Sequence, residues 1–186
     1  MISKNHDFPK GKEYGKAMEK KSFVFETIPA SLAELKARPE ADLKDPFGVL
    51  ALFMAAVCEY PKNRDASLEM IDFLKGPRPL SALEKQFIRD RFMDGKDYLG
   101  PSYFAGAVPS SDYAPAAPWT ITVEAQAHSR DQLSEGYIKL FVTSGGADSP
   151  RGVTLRTKPS TGEWFIWEFS SVLSGIRAPL AKDDWA

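Results

Sequence analysis

The hydrophobic periodicity of the chain changes once along its length, at residues 100–119. This stretch is rich in proline, glycine, alanine and aromatic residues. Before it, apolar residues recur every three or four positions, as on one face of a helix; after it, they alternate with polar residues, as in strands. The pattern predicts one α+β domain in which a helical half is joined to a sheet by a long ordered connection.

Length and charge restrict the classes of partner. A chain of 186 residues is long enough to bury roughly 70% of its unfolded surface as one domain. The net charge of −1 gives no general attraction to nucleic acid, because that binding depends on an excess of lysine and arginine. The longest apolar run, residues 47–58, is shorter than the roughly 20 residues that a membrane span needs. We therefore expect neither a nucleic-acid nor a membrane partner.

The N-terminal region and the cysteine content indicate the compartment. Residues 1–21 are rich in lysine and contain no apolar core typical of a signal peptide. The single Cys58 cannot form an intrachain disulfide. We therefore expect a cytoplasmic protein with a mobile arm over residues 1–21, which bury little apolar surface, and one domain over residues 22–186.

About four helices are expected in the helical half, residues 31–95. Ser31 and Ser81 each precede a glutamate by three residues, which is the capping-box pattern. Asp45 stands before a proline at the first helical position, and that helix is expected to continue to residue 59. A further helix is expected over residues 64–75. The inward-facing residues of the last helix, which is expected to end near residue 93, are predicted to be Leu83, Phe87, Ile88 and Phe92.

A small antiparallel sheet of about four strands is expected over residues 119–170, packed by one face on the helices. Residues 23–25 form either a further short strand or an extended docking segment. In the last strand we expect Phe165, Trp167 and Phe169 to face the helices, with Trp167 as a main anchor. The predicted core-facing residues of the earlier strands are Ile121, Val123, Ile138, Leu140, Val142, Val153 and Leu155.

The chain also resembles a family of bacterial proteins of unknown function, over roughly residues 23–179. The resemblance rests on three blocks of sequence. These are Pro39, Asp45-Pro46 and Cys58-Glu59-Tyr60; residues 73–77 with Leu80-Ser81 and residues 84–87; and Ser102-Tyr103-Phe104, Gly106-Ala107, Pro109, Tyr113 and Pro115. It implies a shared fold and a bacterial source, and it supplies no activity, cofactor or catalytic residue.

Two groups of residues are candidates for a binding site. The first is the aromatic cluster of the connection, which either lines a groove or pins the connection, residues 100–118, onto the sheet. The second is polar and lies on or beside the sheet, where it forms a recognition surface, a catalytic set or a solvated face. The candidate ligand-binding residues are Tyr103, Phe104, Tyr113, Trp119, Glu124, His128, Lys139 and Arg156.

No short catalytic, nucleotide-binding or metal-binding signature occurs in the sequence. We therefore expect a non-catalytic binding or interaction module with a protein or small-molecule partner, without a cofactor or a metal. One alternative is a small-molecule enzyme that uses at least two of His128, Asp131, Glu124 and Glu168, brought within hydrogen-bond reach inside a concave pocket. Another is a structural subunit of a larger assembly, which would expose a large apolar patch.

Overall fold

The computed structural model describes residues 18–185. It contains four α-helices and five strands, joined by short 3-10 turns. In chain order these are β1 (Lys20–Phe25), α1 (Leu32–Lys36), α2 (Pro46–Glu59), α3 (Arg64–Lys75), α4 (Ala82–Arg91), β2 (Trp119–Glu124), β3 (Tyr137–Val142), β4 (Arg151–Lys158) and β5 (Glu163–Glu168). Within residues 18–185 no helix has the length and apolar character of a membrane span.

The five strands form one antiparallel sheet in the order β1-β2-β3-β4-β5. The predicted α+β class is confirmed, and the sheet has one strand more than expected. That strand is β1, which crosses from the N-terminal half to pair with β2, with Phe23 opposite Ile121. Residues 23–25 are therefore a strand. Of the expected arm, residues 1–17 lie outside the described residues, whereas Lys20 and Lys21 belong to β1.

Helix α2 occupies the centre of the core. The Asp45 side chain accepts a hydrogen bond from the Phe47 backbone at 3.0 Å, and every residue from Phe47 to Glu59 is buried. A helix buried all round must be covered on all sides, and α2 packs on the sheet and on α3. The buried strand residues belong to the same core cluster as α2, as their alternation predicted, among them Val153 and Leu155.

Helix α4 differs from its prediction in its last residue and in one of its expected inward-facing residues. It is opened by the expected capping box of Ser81 and Glu84, but it ends at Arg91 rather than near residue 93. Ile88 is buried, whereas Leu83 is 76% exposed and does not face the core. Five residues turn an α-helix by about 140° beyond one full turn, so Leu83 and Ile88 cannot share a face.

The face predicted for β5 is also wrong. Leu155 of β4 lies opposite Ile166, and directly opposed residues project from the same face of a sheet. Ile166 therefore enters the core, and Phe165 and Trp167 project to the other face, where both stay half-buried. Trp167 is consequently not an anchor of the core.

Candidate binding site

The two tyrosines of the connection serve the fold through their hydroxyl groups. Tyr103 is buried and donates a hydrogen bond to the Val172 carbonyl at 2.8 Å. Burial raises the pKa of Tyr103 well above its ordinary value, so its hydroxyl stays protonated. Tyr113 is also buried and donates to the Arg177 carbonyl at 2.6 Å. Both hydroxyl groups are thus committed to the backbone of the C-terminal segment.

The other two aromatics of the cluster pack between the connection and the sheet. Phe104 is buried, with its ring centroid 6.0 Å from that of Phe25 and 5.3 Å from that of Trp119. Trp119 is half-buried against the core. This packing pins the connection onto the sheet, so an open groove lined by these four rings does not form.

A shallow depression of about 360 Å³ does border Tyr113, which stacks on Tyr98 with ring centroids 5.2 Å apart. Its polar lining consists of Asp97, Asp112 and Lys182. The Lys182 ammonium donates to a backbone carbonyl at 3.0 Å, and Tyr113 is only 1% exposed. The depression therefore offers a ligand little aromatic surface.

The carboxylates proposed for catalysis do not converge. Glu124 lies in β2 and Glu168 in β5, with two strands between them. Adjacent strands are about 4.8 Å apart, which separates the two backbones by roughly 14 Å, well beyond a bridging water. The Gln126 amide, at 3.0 Å, and the Lys20 ammonium, at 3.1 Å, lower the pKa of Glu124. Glu168 accepts hydrogen bonds from the backbone and hydroxyl of Ser170.

His128 and Asp131 form the expected contact, with Nδ1 and Oδ2 2.8 Å apart. The histidine side chain is 88% exposed, so it lies outside any pocket. An exposed pair of this kind neither excludes water nor positions a substrate. Its geometry is that of a surface turn contact.

Lys139 and Arg156 do lie on the outer face of the sheet, and aromatic rings accompany both. The Lys139 ammonium is 5.7 Å from the centroid of the Phe141 ring. The Arg156 guanidinium lies over two rings, 5.2 Å from the centroid of Tyr137 and 4.8 Å from that of Trp167. Cations over aromatic faces are attracted by the ring quadrupole. These contacts orient Arg156 without neutralising its charge.

A second arginine reaches the same tryptophan from the loop between α3 and α4. The guanidinium carbon of Arg78 is 4.6 Å from the centroid of Trp167. The loop begins at Gly76, which has φ +58° and lies so close to Phe165 that a Cβ atom would be 2.2 Å from the ring. Only glycine fits both restrictions. The close contact between Gly76 and Phe165 therefore fixes the loop, and with it Arg78, against β5.

A β-bulge aims Trp167 at these arginines. Leu155 pairs with Ile166 and Thr154 pairs with Glu168, so Trp167 is the extra residue of β5. A bulge bends its strand and re-aims a side chain, and bulges are common next to binding sites. The tryptophan consequently stands between the two guanidinium groups rather than in a regular row of the sheet.

These residues form an open groove of about 430 Å³ between the α3–α4 loop and the β4–β5 hairpin. We call it the arginine–tryptophan groove. A second hollow of about 540 Å³, the Leu83 slot, adjoins it and shares Arg78 and Trp167. The groove is lined by Lys75, Pro77, Arg78, Arg156, Thr157, Lys158, Pro159, Phe165, Ile166 and Trp167. The apolar residues of the slot are Leu83, Phe87 and Phe169.

A buried ion pair stands behind the groove. The Lys75 side chain is 1% exposed, and its ammonium lies 2.9 Å from the Glu84 carboxylate. Partial burial alone would raise the pKa of Glu84, but hydrogen bonds from Lys75 and from Ser81 lower it below its ordinary value. The pair is therefore charged and internally neutralised, so it adds no net charge to the groove.

The groove is cationic because its exposed bases have no acidic partners. The ion pairs among residues 18–185 include none of Arg78, Arg156 and Lys158. A guanidinium group offers planar, paired donors that match a carboxylate, and Trp167 offers a flat apolar contact beside them. The arrangement suits a ligand that carries carboxylates next to an aromatic or apolar group.

Sequence reasoning found only Arg156 of this groove. Arg78 lies in a Pro-Arg-Pro loop that resembles an ordinary exposed turn, and Trp167 was assigned to the core. The available signal was β5 itself, which is apolar on both faces although one face of a two-layer α+β sheet meets solvent. An excess of aromatics on such a strand indicates an exposed apolar contact.

The comparisons with known proteins identify a family. The chain matches the family model described as a domain of unknown function, DUF6935, over residues 27–180, and it belongs to that family. This match confirms the resemblance drawn from the sequence. Neither a curated protein nor a solved structure matches the chain.

Proposed function

We propose that the protein is a non-catalytic binding module, and that its arginine–tryptophan groove holds an acidic peptide segment of a partner. The observation that carries this proposal is the pair of guanidinium groups at 4.6 and 4.8 Å from the Trp167 ring centroid, neither of them in an ion pair among residues 18–185. Arginine and tryptophan are the residue types most enriched where interfaces concentrate their binding energy. In keeping with the sequence, we place this module in the bacterial cytoplasm.

The shape of the groove favours a peptide over a small molecule. Small-molecule sites are deep cavities that enclose most of their ligand. Here the groove lies open beside an edge strand and continues into the Leu83 slot, so an extended segment can lie along both. The prolines of its rim, Pro77 and Pro159, are rigid and lose little entropy when they are covered.

The charge distribution favours a short acidic segment over nucleic acid. Strand β5 begins at Glu163 and ends at Glu168, so carboxylates limit the cationic surface at both ends. A continuous phosphate backbone would meet these carboxylates, whereas a peptide with a few acidic residues can place them on Arg78 and Arg156 alone. The net charge of −1 points the same way.

The proposal is tested by fluorescence anisotropy with a labelled, amidated peptide of several glutamates around one phenylalanine. We expect the wild-type protein to bind it, and Arg156→Gln and Arg78→Gln each to weaken binding about tenfold, which corresponds to about 1.4 kcal/mol. Arg64→Gln is the matched control, since Arg64 also lies over an aromatic ring, 5.5 Å from the centroid of Tyr60, but outside the groove.

Two further ligands decide between partner classes. The same peptide with lysine in place of glutamate should not bind. Single-stranded oligothymidine should bind more weakly than the glutamate peptide. Absence of glutamate-peptide binding, equal loss in the Arg64 control, or tighter binding of the oligonucleotide would each overturn the proposal.

A further inference from the structure

We infer that the acidic segment is carried by the chain itself: Asp183–Trp185 of a second copy enters the arginine–tryptophan groove. This inference rests on the proposed function and names its partner. The association it describes is head to tail, because the groove and the segment are different surfaces of each copy.

The segment is presented to solvent in a turn. Asp183 and Asp184 are exposed, and Trp185 is 95% exposed, the highest value among the exposed large apolar residues of the described chain. The Trp185 backbone donates to the Asp183 carboxylate at 3.0 Å, which holds the acidic residue and the indole in one local turn. An exposed indole beside two carboxylates has the composition of an interface contact, because tryptophan is among the residue types most enriched where interfaces concentrate their binding energy.

The segment and the groove are complementary in charge. Asp183 and Asp184 are the only adjacent pair of acidic residues in the whole sequence. Their Cα atoms are 3.8 Å apart, as in any trans peptide. Two carboxylates at that spacing can reach two guanidinium groups that both lie within 4.8 Å of the Trp167 ring centroid.

The Leu83 slot offers the Trp185 indole of the second copy an apolar surface on which to pack. Leu83 is 76% exposed on the first turn of α4, and Phe87 is half-buried one turn further along. With Asp184 over the arginines, the next residue, Trp185, reaches the slot that adjoins them. Burial of the indole against Leu83 would remove two of the large exposed apolar side chains at once.

The N-terminal residues are the less suitable occupant within the chain. Residues 1–17 carry four lysines and two acidic residues, so their net charge has the same sign as that of the groove. The segment Asp183–Trp185 has the opposite sign. Charge therefore selects the C-terminal segment over the N-terminal one.

The association is tested with two variants, each of which is defective on one of the two surfaces. The groove variant is Arg78→Glu with Arg156→Glu, and the tail variant is Asp183→Lys with Asp184→Lys. In analytical ultracentrifugation the wild type should associate progressively with concentration, and each variant alone should stay monomeric. In a mixture of the two variants, the acidic segment of the groove variant matches the arginine groove of the tail variant, and the lysine segment of the tail variant matches the glutamate groove of the groove variant, so the mixture should recover the progressive association of the wild type. About 1 M salt, where the Debye length is about 3 Å, should dissociate the wild-type assembly.

Matched controls carry the same charge changes elsewhere. Glu26→Lys with Glu69→Lys matches the tail variant, and Lys62→Glu with Arg64→Glu matches the groove variant, since all four positions are exposed. Both controls should associate like the wild type. A third variant that combines the groove and tail changes exchanges the two charges, and it should associate again.

The outcomes separate this inference from the proposed function. The tail variant is also titrated with the glutamate peptide. If it binds the peptide but the wild type stays monomeric up to millimolar concentration, the inference is wrong and the proposed function stands. If the groove variant associates as strongly as the wild type, the segment Asp183–Trp185 binds elsewhere and the inference is wrong. If the tail variant binds no glutamate peptide, the proposed function itself is wrong.

Discussion

Replacing Trp167 by alanine should destabilise the fold less than replacing its neighbour Ile166 by alanine. Ile166 is 2% exposed and lies in the core opposite Leu155. Removal of a buried isoleucine side chain to alanine costs about 2–5 kcal/mol. A tryptophan in the core would cost as much, about 3–5 kcal/mol.

The structure predicts a smaller loss of stability for Trp167→Ala. The ring is half-buried on the outer face, where it contacts the two guanidinium groups of Arg78 and Arg156 and the edge of the Tyr137 ring, whose centroid is 5.8 Å away. Each of these three contacts contributes about 0.5–1 kcal/mol at an exposed site, so Trp167→Ala should cost about 1.5–3 kcal/mol. With a urea dependence of about 2 kcal/mol per molar, the unfolding midpoint should fall by about 0.75–1.5 M, against about 1–2.5 M for Ile166→Ala.

Urea unfolding followed by far-ultraviolet circular dichroism measures both midpoints without using tryptophan fluorescence. Trp167→Ala should also abolish binding of the glutamate peptide, whereas Ile166→Val should keep it. A midpoint for Trp167→Ala as low as that for Ile166→Ala would refute the assignment of Trp167 to the outer face. Unchanged peptide binding by the folded Trp167→Ala variant would refute its role in the groove.

Three further changes test the surroundings of the groove and of the connection. Gly76→Ala should cost more than about 1 kcal/mol, because φ is positive and the new methyl would meet the ring of Phe165, and it should also weaken peptide binding; denaturation and anisotropy measure the two effects. Glu84→Gln should cost about 3 kcal/mol by leaving the buried ammonium of Lys75 unpaired. The pKa of Glu84 is lowered in the folded state, so the stability that this carboxylate contributes is present above its unfolded pKa and is lost as the pH falls through the folded pKa. Over that pH range the wild type should therefore lose more stability than Glu84→Gln does. Tyr103→Phe should cost about 1–3 kcal/mol by leaving a buried carbonyl without its donor, and peptide affinity should not change.

The helices and three of the strands could be predicted because their signals are local. The capping box of Ser81 and Glu84 and the Asp45 cap are each contained within four residues. The alternation of Val153 and Leu155 likewise needs no knowledge of the rest of the fold. Where the determinant is local, sequence reasoning and structure agree, apart from the exposed Leu83 of α4.

The face of β5 could not be predicted, because the strand is apolar on both faces and its orientation is set by pairing with β4. The opposition of Leu155 and Ile166 decides which side enters the core, and the bulge at Trp167 then shifts the alternation. Ile166 and Phe169 are consequently both buried although they are three residues apart. Strict alternation does not produce that spacing.

The groove was missed for the same reason. Arg78 and Arg156 lie in different halves of the chain, and tertiary contacts such as that of Gly76 with Phe165 bring the α3–α4 loop to β5. For Tyr103, the sequence left open whether the aromatic ring pins the connection or lines a groove. The hydrogen bond to the Val172 carbonyl supports the first reading.

The most direct test of the outer-face groove as the binding surface is a ¹H–¹⁵N NMR titration of the tail variant with the glutamate peptide. The four tryptophan indole groups and the arginine Nε–H groups report separately in such spectra. We predict that the indole of Trp167 and the Nε–H groups of Arg78 and Arg156 shift together, while the indoles of Trp119 and Trp164 stay unchanged. Shifts centred on Trp119 and the connection, with Trp167 unchanged, would contradict the account.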